Sequence, residues 1–313
     1  MASASYIQKG DGGAGIMTRN TVLLLGLLGV LLIIAVLVMQ KPGERSSSGG
    51  TGMVLAPIDS IAVDKIEIKT PSSSIVLQKN GVEWYLQEPI SFRADQSTVA
   101  AFIHDSKSME VKNVVSNKPE KHSVFQVDST GTQVKIFEKG AEKTAFVVGK
   151  ATSSYSEIYA RRSGSNDVII VGGASAYGFS RAVKDWRDKT IFTTLRENIK
   201  EVRYQYGDTT FVLAFKDSAW TIGKDSTQES VVNNLLSSLS NVQADDFVDT
   251  LLQRPPRITA QIAYAGTQLN FFFVTQGEKY LVQSSVSPQW FEILGWRANE
   301  ILKRKQDLKK SVR

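Results

Sequence analysis

Residues able to do chemistry are few in this chain. It has two histidines, His104 and His122, and no cysteine. Disulfides, thiolate metal sites and cysteine nucleophiles are thereby excluded, and a Ser-His-Asp arrangement would have to recruit one of those two imidazoles. His104 falls on a predicted helix and His122 in a loop, and each reads as an ordinary surface residue. Asp245, Asp246 and Asp249 could hold calcium, but they lie on a strand-like segment without the loop geometry of an EF-hand, so a solvated strand end is the better reading. GKAT at 149–152 resembles the end of a phosphate loop, yet the glycine required five residues before Gly149 is Thr144. GGASAYG at 172–178 lacks the G-x-G-x-x-G spacing, and GASAY around Ser175 misses the G-x-S-x-G elbow. No catalytic, cofactor-binding or metal-binding set emerges.

What remains points to docking. Asp185, Arg187, Asp188 and Lys189 are the densest charge cluster of the body. They read either as a helix end laced by ion pairs or as a docking surface, between parts of the chain or onto a partner. Trp290, Phe291 and Trp296 could line a ligand groove, although a C-terminal core is the commoner use of such residues.

The net charge of +6 raises the question of nucleic acid. From Arg297 to Arg313 there are seven basic and two acidic residues, so a local excess of five accounts for nearly all of it. A nucleic-acid interface needs its basic footprint spread over a folded face with stacking aromatics between. The body lacks that, and the tail from 306 to 313 reads as a solvated basic extension, with contact to anionic lipid or an acidic partner as the other reading.

Residues 21–39, TVLLLGLLGVLLIIAVLVM, carry no charge. At about 1.5 Å per residue they just span a hydrocarbon core of about 30 Å. The stretch predicts a single transmembrane helix, longer than a signal-peptide core and without a small-x-small cleavage site after Met39, hence a retained signal anchor. Lys9 and Arg19 precede it and Lys41 and Arg45 follow it, so flanking charge barely orients it. The large C-terminal body favours a bacterial inner-membrane protein, N-terminus in the cytoplasm and body in the periplasm. Gly26 and Gly29 give the span a small face for docking against other membrane subunits, three apart rather than in G-x-x-x-G register. Residues 1–20 are a polar tail and 40–60 a flexible tether.

The elements beyond 60 repeat. DKIEI (64–68), SIVLQ (74–78) and VEWYL (82–86) recur 136 residues later as KEVRY (200–204), TFVLA (210–214) and SAWTI (218–222). Each run alternates apolar and polar residues, the mark of a half-buried strand, with turn residues between. A helix follows in both copies, capped by Asp95 in the first and by the box Ser226-Thr-Gln-Glu229 in the second. KNVV (112–115) and DDFV (245–248) come next. The strand-like runs from 134 to 162 echo those from 260 to 284, and each set leads to a Trp-Arg pair, Trp186-Arg187 and Trp296-Arg297. The expected organisation is an α+β fold: an N-terminal transmembrane helix, then two tandem units of antiparallel sheet plus helix, 61–195 and 198–305. Trp84 and Trp220 then pack each helix on its sheet.

VEWYLQEP with FRAD (92–95), the IYAR segment (158–161) and DWRDKTIF (185–192) resemble a bacterial family defined as a domain of unknown function, whose members are often encoded beside gliding-motility-type ABC transporter proteins. The resemblance covers roughly 61–250 and implies an envelope accessory protein, with no catalytic residue. The function expected is a non-enzymatic, membrane-anchored accessory or scaffold subunit on a larger membrane complex of ABC-transporter, respiratory or photosynthetic type. The alternative is a periplasmic module that captures a glycan, peptide or lipid between its two units. No cofactor is expected; the partners are the lipid bilayer and other membrane subunits.

Overall fold

Along VDKIEIK the side chains of Val63, Ile66 and Ile68 are buried while their polar neighbours face outward, so the alternation commits this run to one face of a sheet. The computed structural model describes residues 28–30, 52–250, 257–274 and 278–310. In the first repeat the strands are β1 (Val63–Lys69), β2 (Ser74–Asn80), β3 (Glu83–Glu88) and β4 (Phe92–Arg93). Helix α1 (Gln96–Lys107), β5 (Glu110–Ser116) and the one-turn α2 (His122–Phe125) follow. A meander, β6 (Thr132–Glu138), β7 (Ala141–Ala151), β8 (Ile158–Arg162) and β9 (Val168–Gly172), leads to the one-turn α3 (Ala176–Phe179). Strand β10 (Thr190–Thr193) opens the second repeat.

There the order recurs. β11 (Glu201–Tyr206), β12 (Thr209–Lys216), β13 (Ala219–Ile222) and β14 (Asp225–Ser226) precede α4 (Glu229–Ser240), β15 (Asn241–Gln243) and β16 (Asp246–Val248). Then come β17 (Ile258–Tyr264), β18 (Thr267–Val274), β19 (Lys279–Ser284), β20 (Trp290–Leu294), α5 (Gly295–Ile301) and α6 (Lys305–Leu308). The first sheet runs β4-β3-β2-β1-β6-β7-β8-β9-β5 and the second β14-β13-β12-β11-β17-β18-β19-β20-β16, the same path twice. Two-residue hairpin turns start at Gly81 (φ +63°) and Gly207 (φ +55°), where a left-handed backbone admits glycine readily.

Each sheet closes its core with one twelve-residue helix. In α1, Val99, Phe102 and Ile103 are buried. Phe102 meets Phe179 at 5.1 Å and Trp186 at 5.3 Å, both edge-on. Trp84 lies in this core, and its backbone is held by Gln96, whose Oε1 accepts from the Trp84 amide at 2.8 Å. Asp95 caps α1, accepting from the Thr98 amide at 2.7 Å. Burial raises the Asp95 pKa, but the Ser97 and Thr98 hydrogen bonds outweigh it and leave the carboxyl below its usual range. In α4, Val232, Leu235, Leu236 and Leu239 fill the second core.

Several expectations need correction. The fold is not α+β. The described residues are predominantly antiparallel sheet, because each repeat spends nine strands and one substantial helix, and the remaining helices are short. Among the described residues no helix is long and apolar enough to cross a membrane. The predicted span at 21–39 lies outside the described residues except for 28–30, which are helical. Ser226 does not cap α4. It pairs with Thr221 in β14, and the cap position is Gln228, without a side-chain bond to the helix.

The Trp-Arg echo is also misplaced. In the first repeat Asp95 donates its N–H to the Trp186 carbonyl, Asp188 to that of Arg93, and Ala94 bridges Arg187. In the second, Gln228 donates to Leu308, Lys310 to Ser226, and Thr227 bridges Lys309. The structural counterpart of Trp186-Arg187 is therefore Leu308-Lys309. The basic tail is consequently not a solvated extension as far as Lys310: Leu308 is fully buried, and Lys305 and Lys309 both pair with Asp225.

Candidate functional site

A 3-10 turn, Val183–Trp186, sends Trp186 into the first core, and the next residue, in extended conformation, points the opposite way. Arg187 thus leaves the first repeat and enters the second. It is 1% exposed. Its Nη1 donates to both oxygens of Asp249, at 2.9 and 2.7 Å, and its Nη2 to Gln289 Oε1 at 3.2 Å. The guanidinium carbon sits in the corner formed by two rings, 4.3 Å from the centre of Phe92 and 3.7 Å from that of Phe247. Those rings also meet edge-on at 5.4 Å. A planar, weakly hydrated cation suits such an aromatic corner better than an ammonium does.

The neighbours reinforce the joint. Lys184 pairs with Asp246 at 2.5 Å. Burial pushes the Asp246 carboxyl up, but the bonds from Lys184 and from the Phe247 amide bring it below the usual range, and the same pair raises Lys184. Asp188 accepts from Arg93, which also pairs with Glu83 at 2.9 Å, and from the Thr190 amide. Lys189 lies 3.9 Å from Asp185, and its carbonyl accepts from the Ala244 amide at 2.7 Å. Strand β10 then pairs with β15. The cluster Asp185, Arg187, Asp188, Lys189 is therefore an internal joint, and Arg187 is closed to an outside ligand. A groove between the repeats at this point is filled by protein.

The acids 245, 246 and 249 are each taken by a different cation, Arg297, Lys184 and Arg187. Trp290 is half-buried on β20 against Phe272, at 4.9 Å. Trp296 is 60% exposed, with the Arg297 guanidinium 4.6 Å from its ring. These two tryptophans share no site. Trp220 lies half-buried beside Phe215 at the rim of a shallow cleft. Gly29 faces open space, and Gly26 lies outside the described residues.

The joint has a counterpart in the first repeat that no described residue fills with an Arg187-like side chain. Val111 donates its N–H to the Met53 carbonyl as Ala244 does to Lys189, so residues 53–55 enter the first repeat as 189–191 enter the second. Carried along β5 and β16, this register sets Val114 opposite Phe247, Asn113 opposite Asp246 and Ser116 opposite Asp249. Phe247 is covered by Phe92 and Arg187. Val114 is 56% exposed and Val115 36%, on the edge strand of the first sheet. Sequence reasoning passed over this face. Its signal was the alignment of KNVV with DDFV, in which Lys112 and Asn113 stand where Asp245 and Asp246 grip Arg297 and Lys184, and Ser116 follows where Asp249 grips Arg187.

A family model described as a domain of unknown function (DUF4340) matches residues 84–259, more than half of the chain. No curated protein and no solved structure matches.

Proposed function

This chain belongs to the DUF4340 family, and from that premise we propose that it is a non-enzymatic accessory subunit, attached to a membrane, whose paired β-repeats dock onto a larger membrane protein complex. The observation that supports this is the exposed edge strand β5. In the second repeat the equivalent surface holds another β-unit through Arg187 and Phe92. In the first it presents Val114 and Val115, beside Met53 and Val54, at 58% and 37% exposure. An exposed apolar strand edge, bridged by residues 53–55 at its Glu110 end, is a template for another chain. Attachment to the membrane rests on the sequence of the uncharged run 21–39 alone.

The joint supports the same reading from another side. By locking Arg187 between the repeats, the chain presents both sheets as one body, which suits a spacer or clamp between other subunits.

The test is co-purification of the tagged full chain from its native membranes in mild detergent, run beside the double variant Val114→Asp/Val115→Asp. Both positions are solvent-facing, so the variant should keep the wild-type melting temperature. A fixed set of membrane subunits that accompanies the wild type in constant ratio, and is lost from the variant, supports docking through β5. Recovery of a monodisperse chain alone, or of the same subunits with both proteins, overturns it.

A further inference from the structure

The first repeat contains a cleft of about 430 Å³ where the second repeat holds side chains. In the second repeat Tyr206, the last residue of β11, stacks alongside Tyr204, donates its hydroxyl to the Lys303 carbonyl at 2.9 Å, and carries the Arg304 guanidinium 3.6 Å above its ring. The pairing register of β1 with β2 and of β11 with β12 makes Thr70 the counterpart of Tyr206. Ala182 and Arg304 both stand immediately before the turn that carries Trp186 or Leu308, so Ala182 is the counterpart of Arg304. Two large side chains in one repeat are thus a threonine and an alanine in the other, and both small residues line the cleft.

The walls are mixed, with Val148, Ala176 and Ala182 beside a set of polar groups. The turn residues Ser72 and Ser73 contribute hydroxyls, and Gln126 and Thr132 contribute a side-chain amide and a hydroxyl that make no side-chain hydrogen bond within the described residues. One cation faces this space. Arg181 makes no ion pair and no hydrogen bond with the described residues, its Nε is buried without a partner, and the guanidinium rests 5.6 Å from the Tyr177 ring. Asp128, on the adjoining turn, is occupied by the Thr130 amide and hydroxyl. A half-buried guanidinium that lines the cleft, its Nε covered and without an acceptor, offers unused donors to an oxyanion, and the hydroxyls in the walls suit a hydroxylated ligand. The volume is that of a small-molecule pocket.

We propose that this cleft binds an anionic saccharide, a sugar bearing a carboxylate or a phosphate, with Arg181 holding the oxyanion and the surrounding hydroxyls and amide holding the ring. The proposal is independent of docking through β5, which lies on other residues.

Calorimetric titration of the purified full chain at low salt tests it, with glucuronate, glucose 6-phosphate, glucose and inorganic phosphate as probes. Saturable binding of glucuronate or glucose 6-phosphate is expected, and whichever binds identifies the acidic group. Arg181→Gln should weaken it at least about tenfold while keeping the wild-type melting temperature, since the side chain has no polar partner in the protein. Thr70→Tyr, which rebuilds the filled state of the second repeat, should abolish it; if that variant does not fold, Arg181→Gln alone decides. Absence of saturable binding by both acidic sugars, or equal binding by wild type and Arg181→Gln, overturns the proposal. Inorganic phosphate or glucose binding as tightly as the acidic sugars overturns the assignment to an anionic saccharide.

Discussion

The guanidinium of Arg187, in the first repeat, lies 3.7 Å from the ring centre of Phe247, in the second. One side chain therefore links two nine-stranded sheets that are each complete around their own core. Truncation to alanine removes a stacked, almost fully buried group and leaves Phe92 and Phe247 facing a void. Arg187→Ala is expected to cost about 2–4 kcal/mol in urea unfolding and to split the transition into two. Asp249 is half-exposed, but Asp249→Ala strands the buried guanidinium without its carboxylate and should cost a comparable amount, about 2–4 kcal/mol. Lysine retains the charge but not the plane, so Arg187→Lys should destabilise less than Arg187→Ala. A change below about 0.5 kcal/mol for Arg187→Ala would show that the repeats need no such joint.

Leu308 makes a second case in which packing decides. It is fully buried in the core of the second repeat, and the Gln228 amide donates to its carbonyl. Leu308→Ala should cost about 2–4 kcal/mol, measurable as a lower melting temperature. A solvated tail would give no shift at all.

Gly149, whose GKAT context resembles a phosphate loop, has a plainer use. A Cβ there would run into the Phe125 carbonyl oxygen and come within 2.9 Å of Val127 Cγ1. The strand β7 passes this close because a satellite cluster of Val127, Val147 and Val168 packs beneath it. Gly149→Ala should destabilise by about 1–3 kcal/mol, seen in the urea midpoint. An unperturbed midpoint would mean that the Phe125 turn yields easily.

These residues show which parts of the fold could be read from sequence. The hairpin around Trp84 was legible because alternation and the Asn80-Gly81 turn are local signals, and Asp95 capped its helix as its position before an apolar period required. Ser226 carried an equally good local signal and failed, because a strand partner, Thr221, and the amide of Lys310 compete for it. The correspondence of Trp186-Arg187 with Leu308-Lys309 was not legible. Backbone hydrogen bonds carry it, and the side chains differ, while the look-alike dipeptide Trp296-Arg297 sits one element too early. The helical share was overestimated because each helix carries a conspicuous period and the meanders that outnumber it are made of short runs. The cleft at Arg181 was invisible for a related reason. Small residues opposite large ones mean something only once the register of the repeats is known.

The tyrosines of the second repeat give a prediction in pH. Tyr204 is buried, and burial raises its pKa well above the ordinary phenol value; burial likewise pushes Tyr206 and Tyr264 upward. Their hydroxyls donate to the carbonyls of Ile301, Lys303 and Leu239, which an ionised phenolate could not do. The folded pKa values thus lie above the unfolded value near 10. The fold holds the neutral form, so this contribution is complete below about pH 10 and is lost as pH rises through the folded values. Unfolding free energy should therefore be flat in this respect up to about pH 10 and then fall. Tyrosinate absorbance near 295 nm from Tyr204, Tyr206 and Tyr264 should rise abruptly as the second repeat opens. Tyr206→Phe removes one of the three ionisable groups and should reduce the steepness of the alkaline loss. Gradual ionisation of all tyrosines in a chain that stays folded would mean that water reaches the Tyr204–Tyr206 stack, and the account of that core as closed would be wrong.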